Sequence, residues 1–126
     1  MVAIVEHWNQ WAHIKQDLYG FIDLVCIRPD RVGVMGVNPC GEDASIHIRK
    51  YMEGWTDPKG KFHEPNKCLP VWLKAGNPFF LWAWRKRGDR GKRKVWHLKQ
   101  IEAILKDGKV EFHEIPDTTE LQTNGD

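Results

Sequence analysis

Apolar residues fall in short strand-sized runs at several places along this chain and at helical spacing in one stretch. Val2–Trp8 is rich in β-branched and aromatic residues and reads as a strand, followed by Asn9 and Gln10. Residues 11–19 fit neither period clearly, and Gly20 breaks the segment. Phe21–Ile27 is a nearly continuous apolar run interrupted by one acid, Asp23, the pattern of a strand buried on both faces. Pro29-Asp30 marks a turn, so Arg31–Asn38, with Val32, Val34 and Val37, is expected to return as the second arm of a hairpin. After the loop Asn38-Pro39-Cys40-Gly41, the residues Ala44, Ile48, Tyr51, Met52 and Trp55 make one helical stripe. The helix is expected to start near Glu42. Glu42 and Asp43 then sit at the positive end of its dipole, Arg49 and Lys50 come later, and Gly54 lies near its end.

Beyond the helix, Pro58, Gly60, Pro65 and Pro70 make Thr56–Pro70 a polar loop, and Val71–Ala75 has no clear type. Pro78–Lys86 is a strand with Phe80, Trp82 and Trp84 on one face and Phe79, Leu81 and Ala83 on the other. Gly88–Gly91 is a turn and Lys94–Leu98 the returning strand, while Ile101–Leu105 is a helical turn or a strand end. Asp107-Gly108 is a hairpin signal before a last strand, Val110–Ile115. The order predicts an α/β (α+β) fold, a mixed sheet of about five to six strands packed on one main helix. One domain is expected over 1–116, with a flexible acidic tail over 117–126. Such a sheet leaves one face undercovered. Either the seven tryptophans fill that gap, or the face pairs with another copy in a homodimer.

Composition narrows the class. A chain of 126 residues, 41% hydrophobic, is one ordinary domain able to bury a core. No apolar run approaches the ~20 residues of a bilayer span, and the N-terminus lacks a signal-peptide pattern, so no membrane role is expected. Cys26, Cys40 and Cys68 are widely spaced without a CxxC pair, which fits a reducing, cytoplasmic setting. Cys40, His63 and Cys68 lack the tight paired spacing of a structural zinc site.

The net charge of +2 hides an asymmetry. Arg85, Lys86, Arg87, Arg90, Lys92, Arg93, Lys94 and Lys99 face Asp89 alone within Arg85–Lys99, whereas Val110–Asp126 has five acids and no Lys or Arg. A basic segment of this density is a local field that DNA or another nucleic acid would feel, and it is equally the composition of a solvated turn. Arg85, Lys86, Arg87, Arg90, Lys92, Arg93 and Lys94 are the candidate phosphate contacts. Trp82, Trp84 and Trp96 either stack on bases or pack the core. Among the acids, Asp23 stands out, because a carboxylate inside an apolar strand is costly unless paired or metal-bound. Glu6 interrupts a similar run, and Asp17 is a further ligand or a turn cap.

VEHWN (Val5–Asn9), DLYGFIDLV (Asp17–Val25), GVMGV (Gly33–Val37), a helix ending in RKY (Arg49–Tyr51) and the strand FFLWAWRK (Phe79–Lys86) follow one another in the chain. Their order and spacing resemble the restriction-endonuclease-like, or PD-(D/E)XK, superfamily over about two-thirds of the sequence. More narrowly they resemble short phage and bacterial nuclease-like proteins. The resemblance implies phosphodiester chemistry with Mg²⁺ held by carboxylates. One acid comes from the first strand of the hairpin. A Glu or Gln and then a Lys come from the next strand, two residues apart on one face. Asp23 matches the first acid, so the resemblance implies Asp23 and Glu6 as catalytic and Mg²⁺-binding residues, with Asp17 in support.

At the next strand the chain has Met35 where the family carries Glu or Gln, and Val37 where it carries Lys, Thr or Ser. Neither can bind Mg²⁺ or orient water. The family's helix before the first strand has no match in this sequence. Lys50, His47 or Glu42 from the helix would have to take over. The resemblance therefore implies a nucleic-acid-binding protein with a nuclease-like fold, a degenerate site and weak or no cleavage. The alternatives are a Mg²⁺-dependent endonuclease with a migrated site, and a non-catalytic module that binds a second copy or a host protein, to which the tryptophan content also points.

Overall fold

The computed structural model describes residues 1–10, 14–41, 43–88, 91 and 93–116. In chain order the first strands are β1 (Val2–Ile4), β2 (His7–Asn9), β3 (Ile14–Gln16), β4 (Leu24–Cys26) and β5 (Met35–Cys40). Helix α1 (Ala44–Glu53), β6 (Trp55–Thr56), β7 (Phe62–His63) and helix α2 (Cys68–Lys74) follow. The last strands are β8 (Phe79–Arg87), β9 (Val95–Lys106) and β10 (Lys109–Glu114). Six of these strands form one mixed sheet in the order β1-β4-β5-β8-β9-β10. Neighbours are antiparallel except β5 and β8, which are parallel and are joined by a crossover carrying both helices. β2 with β3, and β6 with β7, make separate two-stranded ribbons. The fold is α+β.

Both helices cover the same face. Ala44 and Tyr51 of α1 and Leu69 of α2 pack with Phe21, Ile22, Phe79, Leu81, Ala83, Ile101, Ala103 and Val110 in the main core. Phe21 and Phe79 meet edge to face at 4.9 Å. The opposite face has a smaller core of Cys26, Met35, Val37 and Phe80, with Leu24, Trp82 and Ile115 around it. The Arg31 guanidinium closes over the Phe80 ring and bonds Glu102 at 3.1 Å. Further out on this face or at its edge, Ile4, Trp84 and Trp96 are exposed among the described residues.

Several expected bounds move. Val2–Trp8 is two strands, not one, because the chain breaks at Val5 and Glu6 to bond Asp23. Phe21 and Ile22 belong to a tight turn rather than to a strand, so β4 begins at Leu24. The second arm of the hairpin is Met35–Cys40 instead of Arg31–Asn38, and Pro39 and Cys40 lie within it, paired parallel with Trp82 and Ala83 of β8. Asp43 caps α1 by accepting from the Ser45 amide, and Gly54, at φ 81°, ends it. Trp55 is thereby excluded from the helical stripe and starts β6. Val71–Ala75 is mostly α2, whose first turn accommodates Pro70 because amides there have no intrahelical partner. Ile101–Leu105 is the continuation of the long β9. Glu42, Arg90, Lys92 and the tail 117–126 lie outside the described residues. Among the described residues no helix is long and apolar enough to cross a membrane.

Candidate functional site: a carboxylate cluster beside a basic hairpin

Glu6, Asp17 and Asp23 come together. Each offers a carboxylate oxygen, and these oxygens all lie within 4.8 Å of one another. The backbone explains the convergence. The amides of Val5 and Glu6 both donate to the Asp23 carbonyl, at 2.9 and 3.2 Å, which ends β1 and re-aims Glu6 toward Asp23. Asp17 arrives through a reversal over 17–22, in which the Gly20 amide donates to the Asp17 carbonyl at 3.1 Å and Leu18 bridges Ile22. Tyr19 and Gly20 both have left-handed backbones, at φ 54° and 79°. A Cβ at Gly20 would meet the Asn66 side-chain nitrogen at 3.2 Å, so both the conformation and the space favour glycine. Asn66 fixes the turn from outside: its side-chain nitrogen donates to the Tyr19 carbonyl, while its oxygen accepts from the Cys68 and Leu69 amides at the start of α2.

Asp23 carries the electrostatic cost of this arrangement. Its Oδ1 is buried without a hydrogen-bond partner. Burial first, then a hydrogen bond with Asp17 and the charges of Asp17 and Glu6, push its carboxyl up to about 8. The groups that α1 and β5 bring alongside are uncharged at neutral pH. His47 is held below the usual imidazole range by burial and by the Lys50 charge. The Tyr51 phenol is held well above its ordinary value by burial, with the Asp17 and Asp23 charges adding to it. The Cys40 thiol is raised by burial and by Asp43. Asn38, the one buried polar residue of β5, donates to the Tyr51 hydroxyl at 2.8 Å and to the Phe21 carbonyl at 3.1 Å, which locks α1 and the turn to the strand.

The expectation about β5 needs correcting. Met35 and Val37 point into the smaller core, away from the acids. Side chains alternate along a strand, so the residues on the helix-covered face are Gly36, Asn38 and Cys40. β4 and β5 pair with Leu24 opposite Val37, and the next step of that register brings Asp23 beside Asn38. Met35 and Val37 therefore say nothing about the chemistry of the cluster. Asn38, Cys40 and Tyr51 were missed; the available signal was the single amide side chain, Asn38, in an otherwise apolar strand. Lys50 is not brought to the acids either: its ammonium lies over the Trp55 ring, 4.5 Å from the centroid. His63 stacks on the other partner of that ribbon, with its ring 4.4 Å from that of Trp55, and bonds Asp57 at 2.9 Å, so it forms no group with Cys40 and Cys68. All three cysteines are free thiols.

The basic segment is a hairpin arm. Arg85, Lys86 and Arg87 of β8 pair with His97, Trp96 and Val95 of β9. Because β8 runs parallel to β5, with Ala83 beside Cys40, it continues past the end of β5 near which the acids sit. Arg85 shares the acids' face of the sheet, two residues beyond Ala83. Lys86 lies on the other face, over the Trp96 ring at 5.1 Å. Arg93 and Lys94 are exposed before β9. Arg90, Lys92 and the Arg87 side chain lie outside the described residues. Trp82 packs against the smaller core, whereas Trp84 and Trp96 stand in solvent.

No protein-family model matches this chain, and neither a curated protein nor a solved structure matches it.

Proposed function

We propose that this protein binds nucleic acid and holds one Mg²⁺ between Glu6, Asp17 and Asp23, within a nuclease-like core of the restriction-endonuclease type that cleaves phosphodiesters weakly. The observation that carries the reading is the cluster itself: three carboxylates within 4.8 Å, one with a buried and unpartnered oxygen. The charges of Asp17 and Glu6 add to the burial that raises the Asp23 carboxyl, and either a proton on Asp23 or a divalent cation relieves the repulsion. The neighbours His47, Tyr51, Asn38 and Cys40 supply no positive charge. All-oxygen donors suit a hard cation such as Mg²⁺, which would bind one or two of the three carboxylates directly, reach the third through a bound water, and complete its shell with water and phosphate oxygens. When bound, the ion would polarise a phosphate and acidify a water.

The chain's own residues then have distinct tasks. Asp23 would hold the ion as its carboxylate, and Glu6 and Asp17 would bind it directly or through its waters. Asn38 and Tyr51 hold the strand and helix on either side. Arg85, on the acids' face, and the other hairpin cations hold the backbone phosphates. The antiparallel run β1-β4-β5, the helical crossover and the parallel β8 follow the hairpin, helix and strand order of the nuclease-like resemblance. Cleavage is weak because Lys50, the cation expected to assist, is engaged with Trp55, and the second strand offers an amide and a thiol in place of a carboxylate and a lysine.

The test is binding and cleavage of labelled DNA by the purified protein. Affinity should fall linearly with salt on a logarithmic plot, and the Arg85→Ala/Lys86→Ala/Arg93→Ala variant should flatten the slope by up to about three. Slow Mg²⁺-dependent cleavage should vanish in Asp17→Asn. Absence of DNA and RNA binding at low salt contradicts the reading.

A further inference from the structure

The outer face of the β8–β9 hairpin displays two indoles in water. Trp84 is 42% exposed and Trp96 is 59% exposed; Trp8, Tyr19, Trp55 and Phe62 are exposed as well, but Trp84 and Trp96 are neighbours on one face of one hairpin. Tryptophan gains more from burial than most side chains, so a paired exposure at one place invites a partner. The register fixes their geometry. Trp84 stands opposite Leu98 and Lys86 opposite Trp96, so the two indoles are diagonal neighbours on one face. Diagonal side chains on paired strands are roughly 7 Å apart, a spacing that successive unpaired bases can match. The Lys86 ammonium lies over one face of the Trp96 ring, 5.1 Å from its centroid, which leaves the ring's other face for a base. Arg93 and Lys94 are exposed just before β9. From Arg85 to Lys99 the sequence has eight bases and one acid.

We infer that Trp84 and Trp96 form a stacking platform for single-stranded nucleic acid, with Lys86, Arg93 and Lys94 contacting its phosphates. The inference rests on the nucleic-acid reading above and deepens it by naming the strand state. Aromatic faces in a cationic field fit a ligand that is both anionic and rich in exposed π-surfaces. An unpaired strand has both; a duplex hides its base faces inside the stack. An acidic protein partner would satisfy the cations but gives no reason for two flat rings at base-like separation. The platform faces away from the carboxylates, so it holds the strand on the outer side of the hairpin, while Arg85 serves the acids' side.

The experiment uses fluorescence anisotropy of the full chain with labelled oligo-dT and with a duplex of equal length, at matched salt. Oligo-dT is expected to bind more tightly than the duplex and to quench tryptophan emission. Trp84→Ala and Trp96→Ala should each weaken oligo-dT binding by about five- to a hundredfold with the salt slope unchanged, because stacking releases no counterions. Trp96→Phe should retain most of the affinity, which separates stacking from any loss of structure, and circular dichroism melts of all variants should superimpose on wild type. The inference is overturned if the alanine variants bind oligo-dT like wild type while duplex binding persists, an outcome that leaves the broader reading standing. It is also overturned if the alanine variants lose self-association instead, which assigns the face to a second copy. No binding to either nucleic acid overturns both.

Discussion

Replacing Asp23 with Asn should make the metal-free protein more stable, and increasingly so as pH rises. The Asp23 carboxyl is shifted from 3.8 to about 8, chiefly by burial and then by Asp17 and Glu6. One pKa unit corresponds to ~1.4 kcal/mol, so a sealed site would put a penalty of about 6 kcal/mol on the fully ionised cluster. Water reaches these side chains and screens the repulsion, which leaves about 2 kcal/mol. The sign follows from linkage. The folded chain holds the Asp23 proton more tightly than the unfolded chain, so the metal-free fold loses stability as pH rises from about 4 to about 8. Asn cannot ionise, and its amide can donate to Glu6 or Asp17. In thermal melts with EDTA, Asp23→Asn should therefore melt about 5–10 °C above wild type at high pH and close to it near pH 5. Added Mg²⁺ or Mn²⁺ should raise the melting point of wild type and leave that of Asp23→Asn in place. A variant that is destabilised equally at both pH values would refute the claim that the acids repel one another.

Two further outcomes follow from the packing. Phe79 is fully buried and meets Phe21 at 4.9 Å and Tyr51 at 5.9 Å, so Phe79→Ala should cost about 3–5 kcal/mol in denaturant unfolding; a loss under about 1 kcal/mol would mean that the core is not organised around these rings. Asn38→Asp removes the donor to Tyr51 and Phe21 and adds a fourth carboxylate beside Asp23, so the metal-free fold should lose roughly 2–4 kcal/mol while Mn²⁺ restores more stability than it gives wild type. Equal Mn²⁺ stabilisation of the two proteins, read by melts, would place Asn38 outside the cluster.

Much of this arrangement was legible in the residues. An acid in an apolar run marked Asp23, and the same reasoning marked Glu6. The Asp107-Gly108 turn and the α1 stripe were readable because local chemistry decides them. What was not legible depended on where a strand begins. The alternation of β5 is carried by Met35 and Val37 facing one core and Gly36, Asn38 and Cys40 facing the other, and in a strand covered on both faces the single amide of Asn38 is the sole polar mark of which set is which. An error of one residue there exchanges the faces. Trp55 fits the helical stripe by spacing, yet the left-handed Gly54 takes it out of the helix. α2 was obscured by Pro70, which ends helices in their interior and is tolerated in a first turn. Asp17 was legible only as a further ligand or a turn cap, because a turn, and not a period, delivers it to the cluster.

The most direct test of the account is calorimetric titration of Mn²⁺ into the metal-free protein, at pH 6 and again above pH 8, for wild type and Asp23→Asn. The account predicts one Mn²⁺ per wild-type chain, bound more tightly at the higher pH, with proton release at the lower pH because the cluster must lose its shared proton. Asp23→Asn should bind none, or bind much more weakly and without proton release. Wild-type protein that takes up no Mn²⁺ at either pH, or that binds it unchanged after Asp23→Asn, would contradict the assignment of Glu6, Asp17 and Asp23 as a metal site.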